Sequence, residues 1–522
     1  MSALSLPPCR RGLVVLSVLA LTLAASASAG PDPTPYPIYL DQRAGDDAND
    51  ALTWETALKT LDEALARVEG DELVAAILLA QGHYHGDVVV ERPNFALWGG
   101  FPTGGGGSVS DPVLFRTILD GTGNGPVITF RPGMAGALIG LTIQGGHATS
   151  QQVGGGINLE NTTTAIFHCV VRNNVGCGAG GLFIDSRGLT DLPNVTAVDV
   201  DSNEARCDSG VPLAGGVTYL ADAVAPLETV LDGLVIRRNR ITVESPSMEP
   251  VGGLFAEGRL RIENVQVVDN QGAGAMLTSL ESFLTEPDIH CTRCELRGNE
   301  THGLLLGSPS RVELSHLTLR DNGGAALRVE PVPGLDGRSV YQLRQSIAWS
   351  NAGGIFDDAG LGHDLLVEEG VIEGGWRGDP AVLDLEPVFV AGPFGRSYLA
   401  QVDAGDAVDS PGLNASTQDA PTLLVDMDCT RVDSIVDADL ADHGMHYRID
   451  WPGYVGPELI VGQAVEANAL AEVDRAARLP WVAEPGLLSD TDRPLVFLKV
   501  VPAREPVLVR KDLATDSVVL DF

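Results

Sequence analysis

Residues Cys169–Ile184 read CVVRNNVGCGAGGLFI: an alternating apolar run, an asparagine, a glycine-rich gap and a second apolar run. The phrase returns as VDVDSNEARCDSGVPLAGGVTYL (Val198–Leu220), as LVIRRNR followed by VGGLFAE (Leu234–Arg240, Val251–Glu257), and as VQVVDNQGAGAMLT (Val265–Thr278). With the asparagine as anchor the series is Asn174, Asn203, Asn239, Asn270, Asn299, Asn322 and Asn351, spaced by 29, 36, 31, 29, 23 and 29 residues. Five residues before each anchor stand Cys169, Val198, Leu234, Val265, Cys294, Leu317 and Ser346. Three before stand Val171, Val200, Ile236, Val267, Leu296, Leu319 and Ala348, and eight before stand Ile166, Val195, Leu231, Ile262, Cys291, Leu314 and Leu343. These columns are apolar or small, whereas the positions four and two before the anchors are mixed and mostly polar. Strand side chains alternate between two faces, so each period carries short strands with one face turned inward. The period itself is that of a solenoid.

Short strands separated by Gly, Asn and Ser turns, without helical crossovers, predict an all-β fold: a right-handed parallel β-helix of roughly 9–11 coils. Coils stacked at the ~4.8 Å strand spacing turn the apolar columns into inward ladders. Each buried Leu, Ile or Val then contributes ~1.5–3 kcal/mol. The asparagines are expected at the bend after a strand, where the side chain bonds backbone, tolerates left-handed angles and reaches the next coil. The glycine pairs are expected to supply positive φ at re-entry into the following strand. An earlier coil is visible at GLTIQGG (Gly140–Gly146), with Gly146 in the anchor's place.

The expected division of the chain is a signal peptide (1–29), an N-terminal cap and first coil (36–100), the β-helix (101–400), its closing segment (401–450) and a small β-rich tail (451–522). TWETALKTLDEALARVE (Thr53–Glu69) puts Ala57, Leu61, Ala64, Leu65 and Val68 on one helical face, predicting a helix that caps the first coil. Arg10 and Arg11, the apolar Leu13–Ala24 and the small-residue ASASAG read as an export signal cleaved after Ala27 or Ala29. The expected location is therefore extracellular or at the cell surface. No later apolar run reaches the ~18 residues of a membrane span.

The formal charge is −36, and lysine occurs only at positions 59, 499 and 511. Such an acidic surface excludes nucleic acid as a partner, because binding phosphate needs a basic face. It is compatible with divalent-cation binding, and a monomer is expected. Outside Cys9 six cysteines remain, a supplement to a core in a chain of this length. Cys177 and Cys207 fall in equivalent loops of successive coils, within the Cα separation a disulfide needs. That bridge would contribute ~3–4 kcal/mol by chain entropy. Cys291 and Cys294 fall in inward columns, which favours buried thiols over a zinc or redox pair.

Several stretches together resemble secreted right-handed parallel β-helix (pectin-lyase-like) proteins of environmental bacteria. They are TWETALKTLDEALARVEGDE with AQGHYHGDVVV and LWGGF, then TILDG with LIGLTIQGG and GGGINLEN. The likeness continues through SIAWSN, VIEGGWRGDP, LEPVFVAGPFGRSYLAQ, DSPGLNA and VDADLADHGMHY, from about Ile38 to Tyr447. It implies the fold and secretion, and within this superfamily it implies that an activity, where present, acts on polysaccharide. The polygalacturonase strings NTD and RIK are absent, and Asp357-Asp358 follows THG (Thr301–Gly303) instead of preceding it. The pectate-lyase strings WIDH and RxPxxR are absent as well.

One outward column remains chemically suggestive. Two residues before the anchors stand Arg172, Asp201, Arg237, Val268, Arg297, Arg320 and Trp349, and the neighbouring outward column holds Asp199 and Glu295. In register, Asp199 and Asp201 share a face with Arg172 and Arg237 one coil to either side. A lyase could use this set as its catalytic residues, the carboxylates holding Ca²⁺ and a uronate while an arginine takes the C5 proton. Arg297, Glu295, Arg320 and Trp349 would then bind the glycan. An exposed ladder of ion pairs, worth ~0–1 kcal/mol each, accounts for the same residues. His83, His85 and Asp87 alternate on one strand and are of metal-binding type, but a solvent-facing strand explains them equally, and no metal site is assigned. His168 and His316 share a column five coils apart, too far to hold one ion. The preferred expectation is a non-catalytic β-helix presenting an elongated face to a polysaccharide or cell-surface protein. A polysaccharide lyase or glycoside hydrolase using the Arg/Asp face is the alternative.

Overall fold

A computed structural model of the chain describes residues 35–448, except 106–109, 151–152, 190–192, 223–228, 244–248, 279–288, 309–311, 332–338, 359, 361, 393, 427, 433–434 and 438–439. It also describes the strands Phe497–Lys499, Val507–Asp512 and Ser517–Asp521. The expected signal peptide lies outside the described residues.

The apolar columns superpose. Val171 pairs with Val200, Val200 with Ile236, Ile236 with Val267, Val267 with Leu296, Leu296 with Leu319 and Leu319 with Ala348, always in parallel strands. Ile166, Val195, Leu231, Ile262, Cys291, Leu314 and Leu343 form a second such ladder. Both ladders belong to one continuous apolar core that runs from Ile38 to Val382. The fold is thus a right-handed parallel β-helix, the hand that parallel crossover connections take. Three main sheets wind around the core, and four short parallel strands from His147–Ala148 to Arg240–Thr242 form a further one. The first and second, which carry the columns eight and three before the anchors, join into one 20-stranded sheet, and the third has ten strands from Val88–Val90 to Phe356–Asp357. From Ile289 onward the first and second sheets share single long strands, bent at Arg293, His316 and Gln345, each with positive φ.

Two details of corner chemistry differ from expectation. The residue in the left-handed region is not the anchor asparagine but the one before it: Asn173, Ser202, Arg238, Asp269, Gly298, Asp321 and Ser350 all have φ between 51° and 65°. The anchors themselves are buried and stacked. Asn239 donates its backbone N–H and its Nδ2 to Asn270 Oδ1, sends a second Nδ2 hydrogen to Val200 O, and accepts the same pair of bonds from Asn203. The pattern repeats from Gly146, whose N–H meets Asn174 Oδ1, to Asn351. Every amide donor and acceptor is satisfied, which a polar group in a core requires.

The glycine pairs do not adopt positive φ either. Gly180, Gly181, Gly215 and Gly216 are absent from the left-handed set; Gly181 and Gly216 face the ladder across the narrow interior, and Gly180 and Gly215 face the backbone of Glu204 and Arg240. A Cβ on Gly181 would stand 2.8 Å from Val200 Cγ1 and 3.0 Å from Asn203 Nδ2, so the pair is required by close approach.

The cap is shorter than the sequence pattern suggested. The helix α1 spans Leu61–Gly70, with Thr60 as N-cap accepting from Glu63 N, and buries Leu61, Ala64 and Val68. Ala57 is extended and closes a 3₁₀ turn at Trp54–Thr56. The strand Tyr36–Leu40 precedes the cap and pairs with Val74–Ala80.

After the last solenoid strand, Val382–Leu383, the chain forms the antiparallel hairpin Phe389–Gly392/Gly395–Leu399 and runs back along the side of the solenoid to Tyr447–Arg448, which pairs with Asp428–Cys429. This returning chain begins with the hairpin at Phe389, ahead of residue 401, where the closing segment was expected to start. It lies against the second sheet: Gln266 Nε2 donates to Phe394 O, Thr318 Oγ1 accepts from Met445 N, and Gln345 O accepts from Gly444 N. The three strands after residue 496 form an antiparallel sheet.

Candidate functional site

Strand pairing extends the outward column in both directions. Residue by residue it runs His85, Asp120, Gln144, Arg172, Asp201, Arg237, Val268, Arg297, Arg320 and Trp349 down the outer face of the second sheet. Beside it stand His83, Ile118, Thr142, Val170, Asp199, Val235, Gln266, Glu295, Thr318 and Ile347. The register places Asp201 between Arg172 and Arg237, and Asp199 on the same face.

Accessibility divides this face in two. His83, His85, Ile118, Asp120, Gln144, Val170 and Arg172 are partly or largely exposed, and Thr142 between Ile118 and Val170 is buried. From Asp199 to Ile347 the residues are buried, with Arg320 and Trp349 half-buried. The cause in the later coils is the closing segment.

That cover meets the residues of the expected binding set. Glu295 accepts from Arg297 Nε at 3.0 Å, from Ser397 Oγ at 2.5 Å and from Tyr447 Oη at 3.3 Å. Arg320 Nε donates to Ser397 Oγ, its Nη2 to Arg396 O, and its guanidinium lies 4.6 Å over the Phe389 ring. Trp349 packs with Phe389, Leu383 and Leu413 around Ile347, Val371 and Leu399. Tyr398 and Tyr447 stack at 4.0 Å within the cover. Burial acts to raise the Glu295 carboxyl, yet the Arg297 and Arg320 charges hold it below the ordinary glutamate value. Glu295, Arg320 and Trp349 thus contact the chain's own segment, with Arg297 bonded to Glu295; Glu295 and Arg297 are buried and Arg320 and Trp349 half-buried.

Of the expected catalytic set, Asp199, Asp201 and Arg237 are brought together in ion pairs. Fully buried Arg237 places Nη2 2.7 Å from Asp199 Oδ2 and 3.6 Å from Asp201 Oδ2. Arg238 Nε donates to Asp201 Oδ1 at 2.9 Å, and its Nη2 bonds Asp201 Oδ2. Burial opposes ionisation of Asp201, but the Arg238 hydrogen bond and the two guanidinium charges keep its carboxyl below the ordinary range. Arg172, half-buried at the edge of the open stretch, bonds Gln144 Oε1 at 3.2 Å.

At the open end, His83 Nε2 is 2.7 Å and His85 Nδ1 3.6 Å from Asp120 Oδ2. Asp87 is not part of this group: it accepts from Thr122 N and Thr122 Oγ1. Asp120 was missed by reading along one strand. Its signal was the strand TILDG, which pairs with GHYH one coil away.

Cys177 and Cys207 are joined by a disulfide with a Cα separation of 4.5 Å. Cys291 and Cys294 lie in the core, Sγ to Sγ at 3.2 Å, and their hydrogen bond and burial push the Cys291 thiol well up. His168 and His316 occupy equivalent left-handed corners, and burial lowers both below the ordinary histidine value.

No known sequence-family profile matches the chain, and no curated protein matches it. Among solved structures it is similar to the catalytic domain of a GH87 α-1,3-glucanase in complex with nigerose, at 11% identity over 66% of this chain and 70% of that one, with a TM-score of 0.31. ORF18 of Geobacillus virus E2 is similar at 13% identity over 86% and 78%, TM-score 0.31. The periplasmic alginate epimerase AlgG is similar at 12% identity over 57% and 73%, TM-score 0.25. These likenesses are remote, and neither the fold nor the site described above rests on them.

Proposed function

We propose that the protein is a non-catalytic β-helix that binds polysaccharide on the open stretch of its second sheet, from His83 and His85 through Asp120 and Gln144 to Arg172. The observation that carries this reading is the abrupt change along one continuous column: the chain buries the distal coils under its own closing segment and leaves the proximal polar coils uncovered. The open stretch alternates hydrogen-bonding side chains with Ile118 and Val170, a mixture suited to the hydroxyls and C–H faces of sugar rings. Arg172 offers a planar donor group for a uronate carboxylate. Against catalysis stands the environment of the carboxylates. Asp199 and Asp201 are buried in guanidinium contacts, and Asp120 is the sole carboxylate in the open part of the two columns. Acid–base cleavage of a glycosidic bond uses two carboxyl groups flanking the bond.

Affinity electrophoresis of the untagged secreted form through gels of acidic and neutral polysaccharides tests the proposal. The expected result is retardation by at least one polymer, lost in Arg172→Ala and Gln144→Ala, with neither new reducing ends nor an unsaturated product. Turnover that disappears in Asp201→Ala would overturn it in favour of the lyase or hydrolase.

A further inference from the structure

We propose that His83, His85 and Asp120 form a site for a borderline divalent transition metal of the Zn²⁺ class, at the open end of the second sheet. The site follows from register. His83 and His85 are two residues apart on one strand and so share its outer face, and Asp120 is the direct partner of His85 in the next coil. Their three ligand atoms lie within 4.8 Å of one another. A tetrahedral ion with bonds of 2.0–2.2 Å holds neighbouring ligands about 3.3 Å apart, and the observed 2.7 and 3.6 Å bracket that value. Small side-chain rotations would bring all three to one ion.

The ligands are held from behind. Gln42 accepts from His83 N and donates to His83 O, fixing the strand at the first ligand. Gly145 gives Asp120 its room, because a Cβ there would stand 2.4 Å from Asp120 Oδ1. The two imidazole rings are 4.5 Å apart and direct one nitrogen each toward the same carboxylate oxygen. As neutral imidazoles both can be ligands.

Two nitrogens and one oxygen select zinc, copper or nickel over calcium or magnesium, which prefer oxygen throughout. The His85 side chain is 70% exposed, so an ion held here keeps at least one coordination position toward solvent. That open position distinguishes it from a closed structural site. The assignment is independent of the polysaccharide reading, since the ion needs only these three side chains.

The test uses the untagged secreted form, stripped with chelator and titrated with Co²⁺ for visible spectra, then with Zn²⁺ in competition against a chromophoric chelator. One ion per chain is expected, with the ligand-field bands of a low-coordinate Co²⁺ site that Zn²⁺ erases. His83→Gln and Asp120→Asn should each weaken binding by about tenfold or more, while Asp87→Asn should bind as the parent does. Circular dichroism on each variant separates lost ligands from lost fold. Absence of saturable binding, or equal binding by folded His83→Gln and Asp120→Asn proteins, would overturn the assignment.

Discussion

At the level of single residues, the asparagine ladder shows how one side chain can satisfy four polar groups inside an apolar solenoid. Replacing Asn239 by alanine removes both Nδ2 hydrogens and the acceptor for Asn203, leaving Val200 O, Asn203 N and Asn270 Oδ1 short of partners. A buried polar group without a partner costs about 1–3 kcal/mol. Chemical denaturation of Asn239→Ala should therefore show a loss of roughly 3 kcal/mol, with a lower midpoint in urea. A loss within about 0.5 kcal/mol, the range of ordinary surface substitutions, would contradict the ladder. The recurrence of asparagine, its bond to backbone and its reach to the next coil were legible in the sequence, but its backbone angle was not. Asparagine is the non-glycine residue that most readily takes left-handed angles, so local propensity assigned it the corner. Burial and stacking give it the ladder instead, and the corner falls to the residue before, even where that residue is Arg238 or Asp269.

At the level of elements, the closing segment is the part the repeat could not announce. The apolar columns were readable because strand alternation is local and repeats. The contacts that dock Phe389–Arg448 join residues far apart in sequence, such as Ser397 with Glu295, 102 positions away, and Arg448 with Asp232, 216 away, and leave no periodic trace. This segment itself carries a pH-sensitive element. His443 is buried with neither ring nitrogen hydrogen-bonded, and burial lowers it to about 4; the nearby Glu369 opposes that shift and His446 adds to it. His316, buried against His446, is lowered in the same direction. His446 itself bonds Asp437 and Gly444 O.

Between about pH 6.5 and pH 4 the undocked chain binds a proton at His443 that the docked chain refuses, so stability falls as pH falls through that window. The full effect at His443 is about 3 kcal/mol, reached near the lower limit. Asp442, raised by burial and by Asp437, works in the opposite sense. Hydrogen exchange of Phe389–Arg448 should accelerate on acidification across this window before the solenoid strands respond, and His443→Gln should flatten the dependence. Simultaneous acceleration in both regions, or an unchanged profile in His443→Gln, would exclude local release through this histidine.

At the level of the whole molecule, the sequence yielded the solenoid, its register and the placing of Asp199 and Asp201 beside Arg172 and Arg237. It misjudged which part of the face meets solvent, because accessibility depends on where a non-repeating segment returns. It also missed Asp120 as a companion of His83 and His85, because that partner arrives from the adjacent coil. The account therefore rests on a single face that is open at one end and covered by its own chain at the other. Arginine labelling with phenylglyoxal, mapped by peptide mass spectrometry on the native protein and again after unfolding, measures this directly. The prediction is that Arg172 reacts in the native state while Arg237 and Arg297 are modified only after unfolding. Native labelling of Arg237 and Arg297 at the rate of Arg172 would show the distal face uncovered and contradict the account.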